Sequence, residues 1–205
     1  MISCPALSSG TAIFERLLKT CTAGLLFATS LVSAAGAAAA GDAALWHALK
    51  SGGHAVIMRH AIAPGVGDPD DFRIGECSTQ RNLSPAGREQ AQRIGARLRT
   101  AGLEAARVYT SQWCRAFETA TLLGLGEVAA LPELDSFFTQ SGRAEAQTRA
   151  LTQWLDAQDL SRAVVLVTHQ VNVTALTGAY PASGELVVIR RTAPGRYAVA
   201  GRLRP

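Results

Sequence analysis

The chain has 205 residues, of which 48% are hydrophobic and 18% are charged, a balance typical of globular proteins that excludes a largely disordered chain. Its 20 basic and 16 acidic residues give a net charge of +4, which is too small to indicate a nucleic-acid-binding surface. The length predicts one domain that is large enough to bury a core.

The first forty residues have the layout of a secretory signal peptide. Arg16 and Lys19 precede an apolar stretch at residues 23–32, and an alanine-rich run of small residues follows. This stretch is shorter than the roughly 20 residues that a membrane-spanning helix needs. We therefore expect residues 1–40 to be a leader that is cleaved between residues 34 and 40, with a membrane anchor or an ordinary N-terminal helix as the alternative. Residues 41–205 are then a single exported, periplasmic domain without a stable membrane anchor.

The four cysteines divide into two pairs at the predicted cleavage region. Cys4 and Cys21 fall in the leader, which leaves Cys77 and Cys114 in the mature chain. An even pair of cysteines in an exported protein favours one disulfide. Two free buried thiols are the alternative that the sequence leaves open.

Apolar periodicity and turn signals predict helices that alternate with strands along the mature chain. In chain order we expect a helix at 42–50, a strand at 54–58, a long loop at 61–82, a helix from Pro85 to the stop at Gly102, a strand at 107–109, a helix at 113–123, a strand at 127–131, a loop at 134–142, a helix at 143–159, a strand at 163–168, a short helix at 171–177, and a hairpin of strands at 186–190 and 196–200. This alternation predicts an α/β fold, a three-layer α/β/α sandwich with a mainly parallel sheet.

Basic and imidazole side chains follow three of the predicted strands. Arg59 and His60 follow the first strand, Ser111 follows the second with Arg115 one helical turn later, and His169 follows the strand at 163–168. The carboxyl ends of parallel strands share one edge of a sheet, where ligands bind. Arginine forks match phosphate oxygens, while one imidazole can attack phosphorus and the other can donate to the same oxygens. The residues therefore predict a phosphoryl-transfer site without a metal or other cofactor, and leave open which histidine attacks.

Four segments between residues 56 and 172 resemble, in order, the motifs of the histidine phosphatase superfamily, also called phosphoglycerate-mutase-like. They read MRHAIAPG, NLSPAGREQAQRIGARL, TSQWCRAFETATLL and VLVTHQVN. The resemblance implies that His60 is the phosphoryl acceptor, that Arg59 and Arg115 bind the phosphate, and that His169 completes the pocket. Ala61 stands where the family commonly has glycine.

The general acid is less clearly marked than the phosphate-binding residues. Gln170 follows the second histidine where the acid-phosphatase branch carries a carboxylate, which argues against that branch. The other branch takes its acid from a segment that LPELDSFF, residues 131–138, resembles. Glu133 fits the Leu-x-Glu spacing and is our assignment, while Asp135 fits the spacing to the following aromatic and is the alternative. A third interpretation is that both are surface carboxylates and the leaving group needs no strong acid.

Together these features predict an exported phosphomonoester hydrolase that acts through a phosphohistidine at His60. The chain resembles a periplasmic group that includes lipopolysaccharide-core heptose phosphatases, which implies a small phosphorylated substrate such as a lipopolysaccharide-core sugar phosphate. A phosphohistidine or phosphoprotein phosphatase, a mutase of the same fold, and a non-catalytic phosphate-binding module are the alternatives. A Cys77–Cys114 bridge would hold the long loop over the pocket beside Arg115.

Overall fold

The structure, a computed structural model, describes residues 34–204. Most of the predicted leader, with Cys4 and Cys21, lies outside the described residues. Helix α1 spans Ala34–Lys50 and so begins earlier than predicted, because alanine has the highest intrinsic helix propensity and nothing in the alanine run ends the helix. Between residues 34 and 204, no helix is both long and apolar enough to cross a membrane.

The remaining helices and strands follow the order expected from the sequence. They are β1 (His54–Arg59), α2 (Pro85–Thr100), β2 (Arg107–Thr110), α3 (Cys114–Leu123), β3 (Val128–Ala130), α4 (Ala144–Asp156), β4 (Val164–Thr168), α5 (Gln170–Thr177), β5 (Leu186–Ala193) and β6 (Arg196–Leu203). Short 3₁₀ turns occupy Cys77–Thr79, Pro132–Leu134 and Ser141–Arg143. The long loop is therefore not entirely irregular, and the hairpin strands extend beyond their predicted ends.

The six strands form one mixed sheet in the order β3-β2-β4-β1-β5-β6. Strands β3, β2, β4 and β1 are parallel, and β5 and β6 add an antiparallel hairpin at one side. Arg59 pairs with Thr168, and Thr110 pairs with Val167. Because these registers bring the carboxyl ends of β1, β2 and β4 nearly level, the residues that follow them emerge at one edge.

Helices cover both faces of the sheet, which confirms the three-layer α/β/α sandwich. Val56 and Met58 of β1 pack in a core with α1, α2 and α3, whereas Ala55 and Ile57 pack on the other face with α4 and α5. This division follows from the alternation of side chains along a strand. Strands buried on both faces read as continuous apolar runs, which is why β1 and β4 were recognisable in the sequence.

The start of α2 holds the chain that leaves β1. The Ser84 hydroxyl caps the helix by accepting a hydrogen bond from the backbone N–H of Gly87 at 3.0 Å, as a serine at this position should. A Cβ on Gly87 would lie 2.0 Å from the carbonyl oxygen of Ile62, so only glycine permits this approach. Gln90 accepts from the backbone N–H of Ile62 and donates to the carbonyl of Ser183. These contacts fix the base of the long loop beside the site.

Candidate active site

A cavity of about 550 Å³ opens at the carboxyl edge of the parallel strands. The four residues expected to carry the chemistry, Arg59, His60, Arg115 and His169, all line it. The sheet register therefore brings together residues that lie more than a hundred positions apart in the sequence.

His60 has the geometry of a nucleophile. Its side chain is buried, and its Nδ1–H donates to the carbonyl of Ala61 at 2.7 Å. This tautomer leaves the lone pair on Nε2, which lies 3.2 Å from Nε of Arg115. Burial and the nearby Arg115 cation lower the pKa of His60 to about 3, so the imidazole is neutral at ordinary pH. Its Nε2 lone pair accepts a hydrogen bond from the Nε–H of Arg115.

His169 is the second imidazole of the site, with its ring centroid 5.5 Å from that of His60. Its Nε2 is 2.7 Å from the Ser111 hydroxyl. When that hydroxyl donates to Nε2, the proton of the neutral ring is on Nδ1, which can donate to a substrate oxygen. Burial and the neighbouring His60 and Arg115 lower the pKa of His169 well below its usual value. Ser111 thus orients the histidine.

Two arginines make the cavity suited to an anion. Arg115 is almost completely buried, with only 3% of its side chain exposed, and its Nε–H points at His60. Arg59 has a buried Nε that makes no hydrogen bond within residues 34–204. A buried donor without a partner is costly, and an oxyanion bound beside His60 would supply the acceptor.

Sequence reasoning missed four further charged residues that line the cavity, of which Arg81 and Asp68, both in the long loop, contact its cations most closely. Arg81 donates from Nε to the carbonyl of Gly67 at 2.7 Å and from Nη1 to that of Ala63, and burial and Arg115 lower its pKa to about 10. The Asp68 carboxylate lies 2.6 Å from Nη1 of Arg115. Neither residue follows a strand or has a periodic neighbour, so only the unusual length of the loop indicated that its residues had a role.

A disulfide fastens the loop to the helix that carries Arg115. Cys77 and Cys114 are bonded, with their Cα atoms 5.7 Å apart. The side-chain oxygen of Gln80 accepts from the backbone N–H of Cys114 at 2.9 Å. The structure therefore has the bridge rather than the two free thiols that the sequence also allowed.

The two candidate acids are both near the site, but neither lines the cavity. Glu133 lies in a 3₁₀ turn, is half-buried, and has an Oε2 that is buried without a hydrogen-bond partner in the described residues. Asp135 is buried and accepts from the backbone N–H of Gln112 at 2.8 Å. Burial raises the pKa of Asp135 to about 6. The structure thus gives Asp135 the proton affinity of an acid without giving either carboxylate direct access to substrate.

Residues 34–204 hold no cluster of three or more histidine, cysteine or acidic side chains arranged to bind a metal ion. The cavity lining is instead cationic at its base, and a buried imidazole there faces an arginine. Fold and site together define an α/β protein whose cavity places buried, neutral histidines beside arginine side chains, a lining suited to an oxyanion.

Comparison with known families agrees with this description. The family model of the histidine phosphatase superfamily (branch 1) matches residues 56–138, a range that includes Arg59, His60 and Arg115. Over these residues the chain is similar to the histidine phosphatase superfamily. No curated protein sequence matches the chain.

Solved structures share the fold at low sequence identity. The chain is 19% identical to the protein histidine phosphatase SixA complexed with tungstate, with a TM-score of 0.53 and coverage of 74% of this chain and 97% of that one. A mycobacterial glucosyl-3-phosphoglycerate phosphatase in complex with VO₃ is 18% identical with a TM-score of 0.51, covering 71% and 96%. A phosphoserine phosphatase from Entamoeba histolytica in complex with 3-phosphoglyceric acid is 15% identical with a TM-score of 0.53, covering 74% and 97%.

Proposed function

We propose that this phosphatase hydrolyses a phosphomonoester through a phosphohistidine on His60 and needs no metal ion. The observation that carries the proposal is the placement of the His60 Nε2 lone pair 3.2 Å from the buried Nε of Arg115, with Nδ1–H fixed on the carbonyl of Ala61. A nucleophile and a cation that share one small volume are what phosphoryl transfer requires.

The reaction has two displacements at phosphorus. In the first, Nε2 of His60 forms a bond to phosphorus while the bond from phosphorus to the leaving oxygen breaks, and the leaving oxygen takes a proton from solvent, which the second displacement returns. Arg59, Arg115 and Nδ1–H of His169 stabilise the phosphoryl oxygens as charge shifts between them. In the second, water attacks the phosphohistidine, loses a proton, and releases phosphate and neutral His60.

The outer part of the cavity has room for more than a phosphate. Exposed apolar side chains surround its mouth and are contributed by the long loop, the segment after β3 and the segment after α5: Val66, Ile74, Phe138 and Tyr180. Exposed apolar groups that cluster at a cavity mark a contact surface for ligands. The leaving group is therefore proposed to have an apolar or ring-shaped part that rests on this rim.

A cell-envelope sugar phosphate is the substrate class that fits the sequence of the N-terminal segment. The basic residues, short apolar stretch and small-residue run of residues 1–40 support export, and an exported phosphatase meets envelope components. A Cys77–Cys114 disulfide is also consistent with an oxidising compartment. Export additionally disfavours a mutase that acts on cytosolic metabolites.

Phosphohistidine is a second candidate substrate, and one observation favours it. The cavity lining includes Asp68 and Asp70 but neither of the two candidate acids, Glu133 and Asp135. Asp68 is ion-paired with Arg115. An imidazole leaving group needs less help from a strong acid than a sugar alkoxide does. SixA, one of the structural neighbours, is itself a protein histidine phosphatase.

The experiment is an assay of the purified protein with p-nitrophenyl phosphate, sugar phosphates including lipopolysaccharide-core fragments, and phosphohistidine, in buffer with and without EDTA. We expect hydrolysis that persists in EDTA and is lost in His60→Ala. Equal activity of wild type and His60→Ala would refute the mechanism, and loss of activity in EDTA would refute metal independence. Binding of phosphate without hydrolysis of any substrate would identify a non-catalytic binding module.

A further inference from the structure

Asp68 occupies only one of the two hydrogen-bonding edges of the Arg115 guanidinium. Nη1 donates to Oδ1 of Asp68 at 2.6 Å, and Nη2 donates to Oδ2 at 3.1 Å. The second N–H of Nη1 donates to the carbonyl oxygen of Arg81 at 3.2 Å. A guanidinium has five N–H groups in a rigid plane, so protein oxygens hold three of them. Of the other two, the N–H of Nε donates to Nε2 of His60 at 3.2 Å, and the second N–H of Nη2 lies on the same edge of the guanidinium.

Asp68 is itself held firmly in place. Oδ1 accepts from the backbone N–H of Arg81 at 3.1 Å, and Oδ2 accepts from the indole N–H of Trp113 at 2.9 Å. Together with the two bonds from Arg115, four donors fill the acceptor sites of the carboxylate. Burial alone would raise the pKa of Asp68, but the hydrogen bonds from Arg115 and Trp113 hold it below its usual range. A carboxylate bound in this way is a fixed anchor and exchanges poorly with a substrate anion.

We propose that Asp68 is a positioning residue that presents the Nε–Nη2 edge of Arg115 to the phosphoryl group transferred to His60. The inference rests on the proposed function. When Nε2 of His60 bonds to phosphorus, the Nε–H that it accepted is released, and together with Nη2–H it can donate to phosphoryl oxygens. Two such parallel N–H groups stabilise the transition state only if the guanidinium plane is fixed. Asp68 fixes it from the opposite edge, so its removal lowers kcat more than it raises KM.

The alternative role for Asp68, competition with the substrate for Arg115, predicts the opposite effect on phosphate binding. If Asp68 competed with the substrate for Arg115, its replacement would free a buried cation and tighten the binding of phosphate. Inhibition by inorganic phosphate therefore separates the two roles, because positioning predicts weaker or unchanged inhibition in Asp68→Asn and competition predicts stronger inhibition.

The test compares wild type with Asp68→Asn in p-nitrophenyl phosphate hydrolysis, with Asp71→Asn as the control. Asp71 is an exposed residue of the same loop and does not line the cavity. We expect Asp68→Asn to lower kcat by about ten- to a hundredfold and Asp71→Asn to match wild type. His60→Ala is assayed in parallel: activity in that variant overturns the proposed function, whereas inactivity of His60→Ala with wild-type kcat in Asp68→Asn overturns this inference alone.

Asp68→Asn made in an Arg115→Lys background shows whether Asp68 acts through Arg115. Lysine has no second edge to orient, so Asp68→Asn should cost little there, and the two effects should be non-additive. An equal loss of kcat in both backgrounds, or tighter phosphate inhibition, overturns the proposal.

Removing one partner of a buried ion pair destabilises a protein, so all variants are assayed where circular dichroism shows them folded. If Asp68→Asn does not fold, Asp68→Glu replaces it. That variant keeps the charge but displaces it, and its kcat should also fall, whereas a wild-type kcat contradicts the proposal.

Discussion

The site has two halves that differ in how the sequence specifies them. The strand-end half consists of Arg59, His60, Arg115 and His169, which parallel strands and the helix after β2 deliver to one edge of the sheet. The loop half consists of residues 61–82, which contribute Asp68 and Arg81 and are fixed by a disulfide. In the mechanism that we propose, the strand-end half carries the chemistry and the loop half holds its cations in place. Strand ends are set by the core, whereas the loop depends on a small number of specific bonds.

We expect the largest effect when an arginine is replaced by lysine, and the same replacement in each half tests the comparison. Arg115→Lys keeps the charge but loses the fork beside His60, so we expect kcat/KM to fall by about 10²- to 10³-fold. Arg81→Lys mainly loses bonds to loop carbonyls, and we expect a loss of about tenfold or less. Steady-state kinetics with p-nitrophenyl phosphate measures both, and a larger loss at Arg81 would reverse the assignment of the two halves.

The disulfide offers a way to loosen the loop half while keeping the strand-end half intact. Cys77→Ser with Cys114→Ser removes a cross-link between residues 37 positions apart, and closing a loop of that length contributes about 3–4 kcal/mol to the free energy of unfolding. Urea denaturation should show that loss, and dithiothreitol should produce it in wild type but not in the double variant. Stability that is insensitive to both changes would show that the remaining loop contacts suffice.

The smallest expected effect concerns the pH dependence of stability. The pKa of His60 is about 3 in the folded protein and near 6.5 when unfolded, so the folded state binds fewer protons and acidification below pH 6.5 favours unfolding. His169 acts in the same direction, and the raised pKa of Asp135 acts in the opposite one. Between pH 7 and pH 5, His60 should account for a loss on the order of 2 kcal/mol. His60→Asn should therefore lose less stability than wild type over this range in chemical denaturation, and parallel curves would contradict a neutral buried His60.

The sequence was most informative where burial and chain direction act together. Apolar runs such as β1 and β4 must be buried on both faces, so the strand ends and the convergence of His60 with His169 could be predicted. The alternation of helices and strands predicted a parallel sheet. The order of the strands, and the register that places the carboxyl ends of β1, β2 and β4 nearly level, could not be deduced from spacing alone.

The features of the site that could not be predicted depend on contacts that loop residues make with side chains distant in the sequence. Asp68 matters because its carboxylate meets Arg115 and the indole of Trp113, a geometry with no periodic trace in the sequence. The choice between Glu133 and Asp135 as the general acid could not be made from the sequence either. Each fits part of the expected spacing, and only the folded structure shows how deeply each carboxylate is buried. The alanine run before Asp42 was interpreted as leader, and its high helix propensity extends α1 through it.

The central claim is that His60 carries the phosphoryl group during turnover. Mass spectrometry of protein quenched rapidly at alkaline pH, where phosphohistidine survives, tests it most directly. We expect the mass increase of one phosphoryl group on the peptide that contains His60 during steady-state hydrolysis, and its absence in His60→Ala. A phosphoryl group on His169 or on another residue, with His60 unmodified, would contradict the account.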